Sequence, residues 1–175
     1  NNADFRNQNS PSDRWALHGF DISDWKRDGE YYVIMGQVDG DMSIQGVNIH
    51  AWYEKMKEQM KSLTDKPVYF RPHPLSRKNA TGEVNGDLQK VLSKAAGVLT
   101  YNSNTGADAA LAGVPVMAYD SGSMAWDIAA HSPEELLSFD FPDRAQWLYN
   151  LAYTQWTHSE LKDGSAWRHI NPEGS

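Results

Sequence analysis

Residues 98–119 read VLTYNSNTGADAALAGVPVMAY. The outer runs, VLTY (98–101) and VPVMAY (114–119), are apolar almost without interruption, as strands buried on both faces are. Between them a turn of hydroxyl and amide residues, Asn102 to Gly106, feeds a helix of small residues, ADAALA, which Gly113 ends. This is a strand–helix–strand unit, and its two strands are expected to lie parallel in one sheet.

The pattern repeats upstream. YYVIMGQV (31–38) reads as a buried parallel strand, ending in the loop signal DGDMSIQG. Ile49, Trp52, Tyr53, Met56, Met60 and Leu63 recur at helical spacing, and this helix stops before Asp65-Lys66-Pro67. PVYF (67–70) is a short strand running into Arg71-Pro72-His73-Pro74, and residues 75–86 are polar and loop-like. Leu88, Val91, Leu92 and Ala95 mark another helix, with Gly97 as its expected C-cap.

Downstream, Ser132-Pro133-Glu134-Glu135 has the chemistry of a helix start, and Thr157-His158-Ser159-Glu160 that of a capping box. Trp147, Leu148 and Leu151 place a helix within 143–153, while Trp15 to Trp25 is expected to dock without a regular element. The strand and helix alternation predicts an α/β fold: a Rossmann-like three-layer sandwich with a parallel sheet. Residues 1–28 read as a linker and docking segment, 29–170 as the domain and 171–175 as a frayed tail.

The 175 residues carry 16 Lys and Arg against 23 Asp and Glu, a formal charge of −7, which disfavours non-specific nucleic-acid binding by this chain. Seven Trp, eight Tyr and five Phe supply a core and exclude wholesale disorder. The absence of cysteine excludes disulfides, thiol nucleophiles and cysteine-based zinc sites. No apolar run approaches the roughly 20 residues a membrane span needs. The chain opens on Asn-Asn-Ala-Asp, read as a processed or excerpted start with an N-terminal part missing.

Ligands of open parallel sheets dock at the carboxyl ends of strands. Three polar loops fall there. In Asn102 to Gly106, free N–H groups at a helix start and the hydroxyls of Ser103 and Thr105 suit a phosphate; capping by Ser103 or Asn104 would need no ligand. In Arg71 to Pro74, two prolines stiffen the backbone of His73, whose imidazole can donate to a phosphate oxygen, with Arg71 as a second cation; a surface loop with an incidental His is the plainer alternative. In Gln37 to Ser43, Asp39 and Asp41 flank a glycine, too few ligands for calcium but suited to a polar substrate, or to a solvated turn. No histidine pair has metal-ligand spacing, and no Walker lysine loop or nucleophile elbow is present.

Taken together, GQVDGDMSI (36–44), RPHP (71–74) and LTYNSNTGADAALAGVPVMAYDSG (99–122) resemble the nucleotide-binding half of GT-B glycosyltransferases. The nearest likeness is to the capsular-polysaccharide synthesis family, which contains bacterial Kdo transferases. The flanks, SPSDRWALHGFDISDWKRDGEYYVIMGQ (10–37) and DRAQWLYNLAYTQWTHSELKDGSAWRHI (143–170), are similar to phage-encoded proteins regarded as glycosyltransferases. In those proteins a further N-terminal region precedes this segment.

The resemblance implies the C-terminal half of a GT-B fold and a metal-independent glycosyltransferase using a UDP- or CMP-linked sugar as substrate, with no cofactor. His73 and Asp41 are the implied catalytic residues. Gln37, Asp39, Arg71, Ser103, Asn104, Thr105 and Gly106 are the implied donor-binding residues. The acceptor would be a hydroxymethylated base in phage DNA or a surface polysaccharide, and the location the cytoplasm, a host's if phage-encoded. A GT-B-like nucleotide-sugar epimerase and a non-catalytic nucleotide- or glycan-binding domain are the competing functions.

Overall fold

The computed structural model describes residues 7–18, 21–38, 40–76, 84 and 86–170. In chain order it contains α1 (Asp13–His18), β1 (Tyr31–Met35), α2 (Ile49–Leu63), β2 (Val68–Arg71), α3 (Leu88–Lys94), β3 (Ala95–Thr100), α4 (Thr105–Leu111), β4 (Val116–Ala118), α5 (Pro133–Leu137), α6 (Ala145–Ala152), α7 (His158–Lys162) and α8 (Ser165–Ile170). Short 3-10 turns lie at Met42–Ile44, Pro74–Ser76 and Trp126–Ile128. The described residues form two compact units: Asp21–Asp143, and a second made from residues 7–18 together with 144–170.

The first unit is the expected α/β sheet. Its four strands are all parallel, in the order β2-β1-β3-β4. Alternate residues of each strand face opposite sides. Tyr32 and Ile34 of β1 and Leu99 of β3 join Trp52, Met56 and Met60 of α2 and Leu136 of α5 in one buried cluster. Val33, Met35 and Val98 join Val91 and Leu92 of α3 and Ala109 of α4 in the other. The chain moves one way from β1 to β2 and the other way from β2 through β3 to β4. Right-handed crossovers therefore send α2 to one face and α3 and α4 to the opposite face. Burying each large side chain stabilises by about 1.5–3 kcal/mol, which explains why both faces of so short a sheet are covered.

Several boundaries differ from expectation. β1 ends at Met35 and not at Val38. At Gly36 a Cβ would lie 3.0 Å from both Arg71 O and His73 N, so glycine lets the ends of β1 and β2 cross closely before the chain leaves the sheet. β2 starts one residue late because Pro67 has no N–H; its carbonyl instead accepts from Tyr32 N at 2.9 Å. Gly97 is not a helix cap: α3 ends at Lys94 and β3 begins at Ala95 with no intervening loop. Gly97 is a strand residue whose Cβ would sit 2.9 Å from the Tyr32 ring. β4 is trimmed to Val116–Ala118. Gly113 does close α4, with φ 74. Most of the loop expected at 75–86 lies outside the described residues.

In the second unit, α1 takes in residues 15–18 of the Trp15 to Trp25 stretch, which was expected to lack a regular element. Tertiary anchoring selects this helix. Tyr153 Oη donates to Asp13 Oδ1 at 2.7 Å, and Arg14 donates to the carbonyls of Ala152 and Gln155, pairs with Glu160 and lies over the Trp156 ring. Thr157 and Glu160 form the expected capping box of α7. Ser132 caps α5 of the first unit by accepting from Glu135 N.

The Arg14 guanidinium, then the Thr157 N–H, pull the Glu160 carboxyl from 4.5 down to about 2. A depressed value in the folded state means that this contribution is complete above 4.5 and is lost as pH falls toward 2. Urea unfolding across that window should show stability falling with pH, with a slope that Glu160→Gln flattens. Equal slopes in both proteins would contradict this.

Candidate active site

The strand order reverses between β1 and β3, and the carboxyl ends of these two strands and of β2 open into one cavity of about 430 Å³. Crevices at such reversal points are where open parallel sheets take ligands. Gln37, Asp41, Arg71, His73, Ser103, Asn104 and Thr105 all line it. Asp39 lies outside the described residues. Gly106 is not a lining residue: it is buried, and its Cβ would meet Thr100 Cγ2 at 3.0 Å, so it serves close packing of α4 on β3.

A buried amide pair joins the loops after β1 and β3. Gln37 Nε2 donates to Asn102 Oδ1 at 2.7 Å, and Asn102 N donates to Gln37 Oε1 at 3.0 Å. The Asn102 amide also donates to Ser43 O at 2.8 Å and to Asp120 Oδ1 at 3.1 Å, while Gln37 N donates to Tyr53 Oη at 2.8 Å. With their hydrogen bonds directed inward, these two side chains hold the cavity's shape.

His73 sits between Pro72, which is buried, and Pro74, which opens a 3-10 turn. Leu75 N donates to His73 Nδ1 at 3.2 Å, so the neutral ring carries its proton on Nε2. Arg71, the last residue of β2, is buried and donates from Nη2 to Gly86 O at 2.9 Å. Asp41 is exposed and caps the turn at Met42–Ile44 by accepting from Ser43 N at 2.8 Å. That N–H, the Ser43 hydroxyl and, more weakly, the nearby His73 hold its carboxyl below the ordinary 3.8.

At the start of α4, Asn104 makes no side-chain capping bond. Ser103 Oγ accepts from Thr105 N at 3.3 Å and pairs with Thr105 Oγ1 at 3.0 Å, while Ser103 N donates to Thr100 Oγ1 at 2.8 Å. Two hydroxyls sharing one hydrogen bond leave one O–H proton over, whichever of them donates. Ser103 thus shapes the turn and also leaves a donor at the cavity wall. Among the described residues no cluster of three His, Asp or Glu side chains could hold a metal ion.

No family model matches the sequence, and no curated protein matches it. Among solved structures, the chain is similar to Thermosulfurimonas dismutans KpsC, beta Kdo 2,7 transferase, with 17% identity and a TM-score of 0.49. The match covers 80% of this chain and 50% of that one, so the chain spans about half the length of that structure.

Three polar lining residues were given no role of their own from sequence. Asn102 is 3% exposed, yet it stands in a polar turn where nothing in the sequence signals burial. Ser43 contributes its carbonyl to Asn102, a backbone role with no sequence signature. Asp108 lies one turn into α4, where ADAALA reads as a solvated acid among small residues. Burial raises its carboxyl above the ordinary 3.8. It supplies an acceptor beside the hydroxyl pair.

Proposed function

We propose that the cavity holds the nucleotide-sugar donor of a GT-B-type glycosyltransferase. The observation that carries this is one constellation at the sheet's reversal point: His73 with its neutral-state proton on Nε2, Arg71, and the surplus proton of the Ser103–Thr105 pair. Three donor groups in one polar cavity suit a phosphate. As the sugar leaves, negative charge grows on that phosphate, so donors aimed there favour the transition state over the ground state.

Asp41, kept ionised by Ser43, is assigned to the sugar end, where a carboxylate favours positive charge developing on the ring. Asp108 offers an acceptor for sugar or ribose hydroxyls. Gln37 and Asn102 position the loops. In this reading the donor's charge is met by the protein's own groups without a cofactor. The acceptor in this reading is a hydroxymethylated DNA base or a polysaccharide. In this reading the activity is cytoplasmic.

The test is a thermal-shift titration with UDP, CMP, GDP and UDP-sugars. One nucleotide should stabilise the chain saturably, and Ser103→Ala should weaken its binding about tenfold, the scale of one lost hydrogen bond to a charged group. Binding by none contradicts the proposal. Lost stability with unchanged affinity would reduce Ser103 to a turn-shaping role. Binding followed by release of free epimerised sugar would favour an epimerase.

A further inference from the structure

The amino ends of the strands carry a second cavity, of about 400 Å³, at the opposite end of the sheet from the site above. Tyr32, near the start of β1, lines it and is 8% exposed. Among the described residues the Tyr32 hydroxyl has no hydrogen-bond partner. It opens onto the cavity and can donate to an occupant there. Burial holds the phenol above its ordinary 10.0, which leaves it neutral and able to donate. The bare Cα of Gly97 gives its ring room against β3.

The cavity is also cationic. Lys26 Nζ donates to the carbonyls of Leu92 and Ser93, and Lys66 Nζ to that of Gly29. Carbonyl partners fix these ammonium groups without neutralising them. Arg27 lies with its guanidinium 4.3 Å from the centre of the Phe141 ring, and among the described residues no carboxylate pairs with it. Asp28 is the one acid among the lining residues, against three cations. Phe141 itself is held at φ 53, in the left-handed region that a bulky residue rarely occupies, with its ring edge-on to Phe139 at 5.4 Å.

We propose that this cavity is a second binding site, for a small organic anion on a flat apolar body, an aryl carboxylate or aryl phosphate. Arg27, Lys66 and the Tyr32 hydroxyl take the anion, and Phe139 and Phe141 take the body. The inference stands apart from the glycosyl-transfer reading, because none of these groups lines the other cavity.

Isothermal titration of the chain with naphthyl phosphate, naphthoate, naphthol and inorganic phosphate tests it. At least one of the two aryl anions should saturate, and the tighter of them names the anion; naphthol and inorganic phosphate should not saturate. Arg27→Gln, at an exposed position, and Tyr32→Phe should each weaken binding about tenfold. Tyr32→Phe should leave the melting temperature unchanged or higher, since the hydroxyl makes no protein bond, and His73→Ala should leave the aryl-anion affinity unchanged. The proposal is overturned if neither aryl anion saturates, if naphthol binds equally well, if neither variant weakens binding, or if His73→Ala abolishes it.

Discussion

His73→Ala is expected to lower kcat for sugar transfer by roughly 10²-fold or more, the usual scale for losing one donor aimed at developing negative charge. Flanking prolines restrict the backbone, and Leu75 N occupies Nδ1, so the ring is oriented before substrate arrives. Little side-chain entropy remains to be lost on binding. The imidazole is half-buried at a cavity wall and outside both apolar clusters, so folding should be nearly unaffected. The loss should fall on kcat more than on KM, because the interaction strengthens as the phosphate leaves. Transfer at the wild-type rate with donor and acceptor both saturating would remove this loop from the phosphate.

Asn102→Ala is expected to cost about 2–4 kcal/mol of folding stability, because it leaves buried polar groups without partners. Gln37 Nε2 loses its 2.7 Å acceptor, and Ser43 O loses its 2.8 Å donor. Asp120 keeps Gly122 N, so its share is smaller. Only the backbone bond from residue 102 N to Gln37 Oε1 would still join the loops after β1 and β3, so they should loosen, and nucleotide affinity should fall together with stability. Urea denaturation reads the first effect and a titration the second. A loss below about 1 kcal/mol would mean that water replaces these bonds at little cost.

The same pair shows what could be read in the sequence and what could not. Apolar runs such as YYVIM and VLTY announced buried strands, and Ser132 and Thr157 announced their helices, because caps are local chemistry. Asn102 stood in the right turn, but its burial follows from β1 and β3 being neighbours, a non-local fact. Gly97 looked like a helix cap because nothing local reveals that the Tyr32 ring lies against it. Residues 13–18 gave no periodic signal, and their helix is selected by Tyr153 and Glu160, about 140 residues away. His73, Arg71, Ser103 and Thr105 were legible as a group, since all stand at or just past the carboxyl ends of strands of one parallel sheet. Tyr32 was legible only as a core residue, and its hydroxyl acquires meaning once the cavity at the amino ends is seen.

The most direct test of the central claim is hydrogen–deuterium exchange on the chain with and without a saturating nucleotide sugar. Protection confined to the loops after β1, β2 and β3, around Gln37, His73 and Ser103, is the predicted result. Protection elsewhere, or no nucleotide sugar that binds at all, would contradict it.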